Sequence, residues 1–212
     1  MRTRRGAPVA DDKAPSRQSR KRIATREAII DAAEELLDRG GLDAVTLPAV
    51  SEKADVALQT IYNRVGTRDA VLLAVAERAL AANREYMDAA YALPGSAEDR
   101  VTAAAAAYAR FAFERPHQFR LLASPPDVPE ALERIAELTA EQNGKLADAI
   151  RDGVADGSAR ADLDPDLTAT LMWAAFNGVL SLTWRAGPRV DDIGRLLSLL
   201  ASIVADGVRP RP

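Results

Sequence analysis

Residues 45–72, VTLPAVSEKADVALQTIYNRVGTRDAVL, decide the fold. Thr46 stands where a side-chain oxygen caps a helix, and Pro48 falls in the first turn, where its missing N–H costs nothing. Leu47, Val50 and Ala54 give an apolar stripe at helical spacing, which Ala54-Asp55-Val56 then breaks. Asp is among the few non-glycine residues that enter the left-handed region a tight inter-helix turn needs. A second short helix is predicted over Leu58–Arg64. Ile61 and Val65, four apart, face inward; Gln59, Thr60, Tyr62 and Asn63 project elsewhere, all with hydrogen-bonding groups. Thr67 caps the next helix, with Asp69 in its first turn. The stretch is a helix-turn-helix running directly into a long helix.

The same reading extends along the chain. A first helix is expected from about Ser19 to Arg39, with Ile23, Ile29-Ile30, Ala33 and Leu36-Leu37 inward and Gly40-Gly41 as its stop. The helix opening at Arg68 runs to about Tyr91, before Pro94-Gly95. Ser96 and Asp99 form a capping-box pair for an Ala-rich helix that ends near Glu114, ahead of Pro116. Further helices are expected at 116–122, 128–156, 165–185 (opened by Asp164-Pro165) and 190–206. No segment alternates as a strand would, so the fold class is all-α.

Composition sets bounds. The 212 residues are 48% hydrophobic but only 5% aromatic, so the core is chiefly Ala, Leu, Val and Ile. There is no cysteine, which removes disulfide frameworks and thiolate metal sites and agrees with a reducing cytoplasm. No apolar run is long enough for a membrane span, and the N-terminus lacks the apolar region of a secretory signal. The net charge is −3, yet nine basic residues face two acidic ones up to Arg26. A basic arm on an acidic body suits a protein that touches a polyanion with one end. Residues 1–18 lack periodicity and are expected to be a disordered tail.

At residues 45–72 the chain resembles the DNA-binding domain of TetR-like transcriptional regulators. Their pattern is a Thr opening the first short helix, an Ala-Gly-Val turn, Ser-x-Gly-Thr-Leu-Tyr-x-His-Phe, and a Lys-Glu pair opening the next helix. Here Thr46, Ala54, Val56, Thr60, Ile61, Tyr62 and Arg68-Asp69 occupy those places. Asp55, Ala57, Gln59, Arg64 and Val65 depart from the pattern. The segment Trp173-Ala-Ala-Phe-Asn177-Gly178 is similar to a Trp-x-x-x-His-Gly segment in a subgroup of these proteins, with Asn177 in the place of His. The resemblance implies a three-helix DNA-binding domain over 19–82 and a helical ligand-binding and dimerisation domain over 83–212.

Candidate sites follow. A recognition helix reads base edges from the major groove; Gln59 and Asn63, at i and i+4, can each pair bidentately with adenine, and Arg64 with guanine or phosphate. The family pattern implies that Thr46, Thr60, Tyr62 and Arg68 hold phosphates, while Arg22 and Arg26 lie near the DNA backbone. Tyr108, Phe111, Phe119, Leu122, Trp173 and Phe176 are expected around an apolar cavity for a small ligand; each also fits an ordinary core. The last two helices are more apolar than one buried face requires. By the same resemblance they pair with a second copy, through Met172, Val179, Leu180, Leu197, Leu200 and Val204.

The single histidine, His117, has no catalytic neighbours in sequence, and no metalloprotease, phosphate-loop or nucleophile-elbow motif occurs. Neither an enzyme nor a metal or cofactor site is expected. The expected function is a cytoplasmic DNA-binding repressor: a homodimer on a palindromic double-stranded operator, released by a small-molecule effector, with no membrane partner. The alternative is a helical dimeric adaptor for a protein partner.

Overall fold

The computed structural model describes residues 16–125, 129–184 and 190–210. Most of the expected N-terminal tail lies outside these residues. Among those described, the regular structure is helical: α1 Arg17–Gly40, α2 Leu47–Lys53, α3 Leu58–Arg64, α4 Arg68–Tyr91, α5 Ala97–Glu114, α6 Pro116–Ala123, α7 Pro129–Asp156, α8 Pro165–Ser181 and α9 Val190–Val208. Local chemistry sets the ends. Thr46, Thr67 and Ser96 accept hydrogen bonds from the backbone N–H three residues on, and Asp164 accepts from Asp166 N and Leu167 N. Ser96 and Asp99 complete the capping box reciprocally.

Some ends differ from expectation. Ser16 caps α1, so that helix starts before Ser19. The α-helical part of α8 stops at Ser181, followed by a single 3-10 turn, Leu182–Trp184. A second 3-10 turn, Leu42–Ala44, was not predicted. Ile23 is 53% exposed rather than inward.

Ile29, Ile30, Ala33 and Leu37 of α1 form one core with Val50 of α2, Ile61 of α3 and Val71, Leu72 and Val75 of α4. Leu121 of α6 and Ile135 of α7 enter the same core, so helices α1–α3 and the remaining bundle share buried surface. Helices α4 and α7 run parallel. Their ion pairs Glu77–Arg134, Arg84–Glu141 and Asp88–Lys145 all keep one spacing of 57 residues, which fixes the register of the seam.

Candidate nucleic-acid interface and ligand cavity

The α2–α3 turn is built as its sequence requires. Asp55 takes φ +51°, the left-handed conformation, and Ser51 Oγ donates to Val56 O at 2.6 Å across the turn. Val50 and Ile61 are fully buried and hold the two short helices against α1 and α4. That leaves Gln59, Tyr62 and Asn63 exposed on α3, while Thr60 and Arg64 are half-buried. Gln59 Nε2 donates to Asn63 Oδ1 at 3.3 Å, as their i, i+4 spacing allows.

Thr46 is occupied as the α2 cap, accepting from Ala49 N at 3.3 Å. Arg68 is used differently from the expectation. Its Nε donates to Val45 O and a terminal nitrogen to Leu42 O, both at 2.7 Å. The half-buried guanidinium thus braces the corner leading into α2. No sequence pattern announced this, because the partners are backbone carbonyls of a turn that was itself unpredicted. Arg22 is exposed on α1, and Arg26 lies 3.3 Å from Glu27. Lys53 is paired with Glu35 of α1 at 2.6 Å.

Arg78 ties α4 to α1 through Glu27, Asp31 and Glu34. Burial opposes its charge, but the bonds to Asp31 and Glu27 outweigh that and push its pKa up.

Among the described residues, helices α4–α9 border two partly open cavities. The smaller, about 80 Å³, is lined by Tyr108, Leu122, Trp173 and Phe176, four of the six expected ligand residues. Phe111 and Phe119 are not on that lining. They are fully buried behind it, edge-on to Tyr86 and Tyr108 with centroids 5.6 Å apart. Tyr108 donates to Asn177 Oδ1 at 2.8 Å, and burial pushes its phenol up to about 12. The lining also includes Asn83, Tyr91 and Gln142, which sequence reasoning missed. Single polar residues inside amphipathic helices give no signal until the helix is oriented. The larger cavity, about 270 Å³, lies among α5, α7, α8 and α9 and is rich in alanine. Arg209 and Glu98, paired at 2.7 Å, are among its lining residues.

Among the expected dimer residues, only the buried ones need correction. Met172 and Leu180 are buried within the chain, Leu197 and Val204 line the larger cavity, and Val179 and Leu200 are half-buried. The exposed apolar residues are instead Leu167 and Leu171, each 70% exposed, on α8, and Leu199 and Ile203 on α9. The stripe on α8 continues through Ala174 and Gly178, both exposed. A Cβ on Gly178 would meet nothing within 4 Å, so no close helix approach inside this chain explains that glycine. Helix α8 is apolar nearly all round, and its pattern alone does not say which face turns inward. Among the described residues, no helix is long and apolar enough to cross a membrane.

Residues 29–75 match the family described as bacterial regulatory proteins, tetR family, and residues 101–205 match the tetracyclin repressor-like C-terminal domain. The tetracycline repressor protein class D of Escherichia coli is 38% identical over 61 residues, 29% of this chain and 28% of that protein. The match therefore spans less than a third of the repressor's length. A transcriptional regulator of the TetR/AcrR family from Thermobifida fusca superposes with a TM-score of 0.70 at 20% identity, covering 88% of this chain and 100% of that one. The transcriptional regulator FadR of Bacillus subtilis, in complex with stearoyl-CoA, gives 0.72 at 17% identity over 86% and 99%. These two likenesses are of fold.

Proposed function

Because the chain belongs to the TetR family of bacterial regulatory proteins, we propose that it is a DNA-binding repressor that occupies a palindromic operator as a homodimer and leaves it when a small, largely apolar ligand binds. In this reading residues 19–82 read DNA and residues 83–212 bind ligand and dimerise. The protein acts in the cytoplasm, by binding rather than by catalysis.

The observation that carries the reading is the exposure of Gln59, Tyr62 and Asn63 on a helix whose opposite side, through Ile61, is locked into the core. A rigidly held helix with exposed amides suits base-edge recognition, because Gln and Asn pair bidentately with adenine. Tyr62, Thr60, Thr46, Arg22 and Arg26 supply groups suited to phosphates, and Arg68 adds the brace beneath them. The α8–α9 stripe of Leu167, Leu171, Leu199 and Ile203 supports the dimer, and the open space at Gly178 lets a second helix approach closely. The two cavities support the ligand, as does the stearoyl-CoA complex of the FadR relative. Helix α4 borders the smaller cavity through Leu80, Asn83, Met87 and Tyr91 and holds α1 through Arg78, so a ligand preferring one position of α4 would shift the reading head.

The test is selection of fragments from sheared genomic DNA by the purified protein. Enrichment of a palindromic motif by the native chain, lost with Tyr62→Ala and re-specified with Gln59→Ala, is the expected result. Equal loss on selected and random DNA for Gln59→Ala would remove its base-reading role. A folded dimer that enriches nothing at low and moderate salt would point to a protein-binding adaptor.

A further inference from the structure

The smaller cavity has a feature that an ordinary core lacks. Asn83 is only 5% exposed and its Nδ2 has no partner; both amide atoms of Gln142 and the hydroxyl of Tyr91 are also buried and unpaired. All three side chains line the same cavity. Buried polar groups are nearly always hydrogen-bonded, so three together around one space mark a place where something else supplies the bonds. Burial, with the nearby charge of Asp88, pushes the Tyr91 pKa up, which keeps that hydroxyl a neutral donor.

The α4–α7 register places these groups. With a spacing of 57 residues, Gln142 stands level with Glu85, two residues from Asn83. At the helical rise that is roughly 3 Å along the axis. Tyr91 lies eight residues beyond Asn83, roughly 12 Å along the same helix. The two amides therefore form one polar spot and Tyr91 a second, with Met87 between them. Whichever way the Gln142 amide is turned, it presents one donor and one acceptor.

Charge narrows the ligand. Among the described lining residues there is no Asp, Glu, Lys, Arg or His. The nearby charges Arg84–Glu141 and Lys145–Asp88 are already paired with each other along the helix seam. A carboxylate or ammonium in the cavity would be buried without a counter-charge. Size narrows it further. Neither cavity alone reaches the roughly 300 Å³ usual for a small-molecule site. Val101, Ala105, Met172 and Phe176 line both cavities and so form the partition. Met172, unbranched and adaptable, is the side chain that can turn to join them.

We infer that the effector is an uncharged, largely apolar molecule bearing a hydroxyl or primary-amide group, that Asn83 and Gln142 recognise this group, and that its apolar remainder passes Met172 into the larger cavity. The inference rests on the ligand-responsive reading above and deepens it. It is tested on the full chain by calorimetric titration with four probes of one length: 1-octanol, octanamide, octanoate and octylammonium. Octanol and octanamide are expected to bind, with the two charged probes at least tenfold weaker. Asn83→Leu and Gln142→Leu each weaken octanol and octanamide by about five- to tenfold, the worth of one such hydrogen bond with its desolvation. Each also raises the ligand-free melting temperature, because an unpaired buried amide is gone. Charged probes binding as tightly as octanol, neither neutral probe binding, or variants that bind octanol unchanged would overturn the inference. So would variants that melt several degrees lower without ligand, since the amides would then be satisfied by ordered water. DNA release is measured separately. Selective binding without release keeps the recognition site and removes the switch; release by octanoate alone keeps the switch and removes this site.

Discussion

Gln118 Nε2 donates a 2.7 Å hydrogen bond to Glu34 Oε1 and fastens α6 to α1. Gln118 is fully buried, its own Oε1 accepts from Arg115 at 3.3 Å, and Glu34 also accepts from Arg78 of α4. Three helices thus meet at one carboxylate. A buried hydrogen bond to a charged group is worth about 1.5–3 kcal/mol when one partner is removed. Gln118→Leu should lose that much stability, read as a lower urea midpoint with an unchanged slope. A midpoint equal to that of the native chain would mean the link does not form in solution.

Asp55 holds φ +51° in the α2–α3 turn. A side chain without Asp's local hydrogen-bonding options pays more for that conformation, about 1–2 kcal/mol relative to glycine. Asp55→Val should therefore melt lower, and Asp55→Gly should melt no lower than the native chain. Calorimetric scans of the two variants check this; Val and Gly melting together would show that the turn relaxes to negative φ.

Leu171 is 70% exposed on the α8 stripe, whereas Met172 beside it is buried. If a second copy covers that stripe, Leu171→Glu places two charges against each other across a two-fold axis. Sedimentation should then show a monomer, while Met172→Leu, a volume-conserving core change, should leave the dimer in place. A dimer that survives Leu171→Glu would place the interface elsewhere.

Asp99 accepts from Ser96 N at 2.8 Å and from Ser96 Oγ at 2.7 Å in the α5 capping box, and these bonds hold its carboxyl below the usual carboxylate range. The folded pKa is lower than the unfolded one, so the contribution is complete above the unfolded value and is lost as pH falls through the folded value. Between about pH 5 and pH 2, the melting temperature of the native chain should fall more steeply than that of Asp99→Asn. Parallel curves would count against the capping box.

Much of the architecture was legible because helix ends are local events. Thr46, Thr67, Ser96 and Asp164 cap the helices they were expected to cap, since a cap needs only its own side chain and the next few N–H groups. Asp55 adopts the left-handed turn for the same reason. The exposure of Gln59, Tyr62 and Asn63 followed from the opposite placement of Ile61, a one-helix argument.

Orientation between helices was not legible. The pattern of α8 is apolar on more than one side, so Met172 and Leu180 looked as available to a partner as Leu167 and Leu171, and only packing against α5, α6, α7 and α9 chose between them. Arg68 looked like a free cation until the fold brought the carbonyls of Leu42 and Val45 within 2.7 Å. Asn83 and Gln142 were unremarked polar residues on separate helices until the α4–α7 ion pairs fixed a register that faces both into one cavity. The sequence by itself determined where most helices begin and end, because those bonds lie within a few residues. The tertiary structure alone decided which faces are buried, braced or left unpaired, because those depend on contacts between residues far apart in the chain.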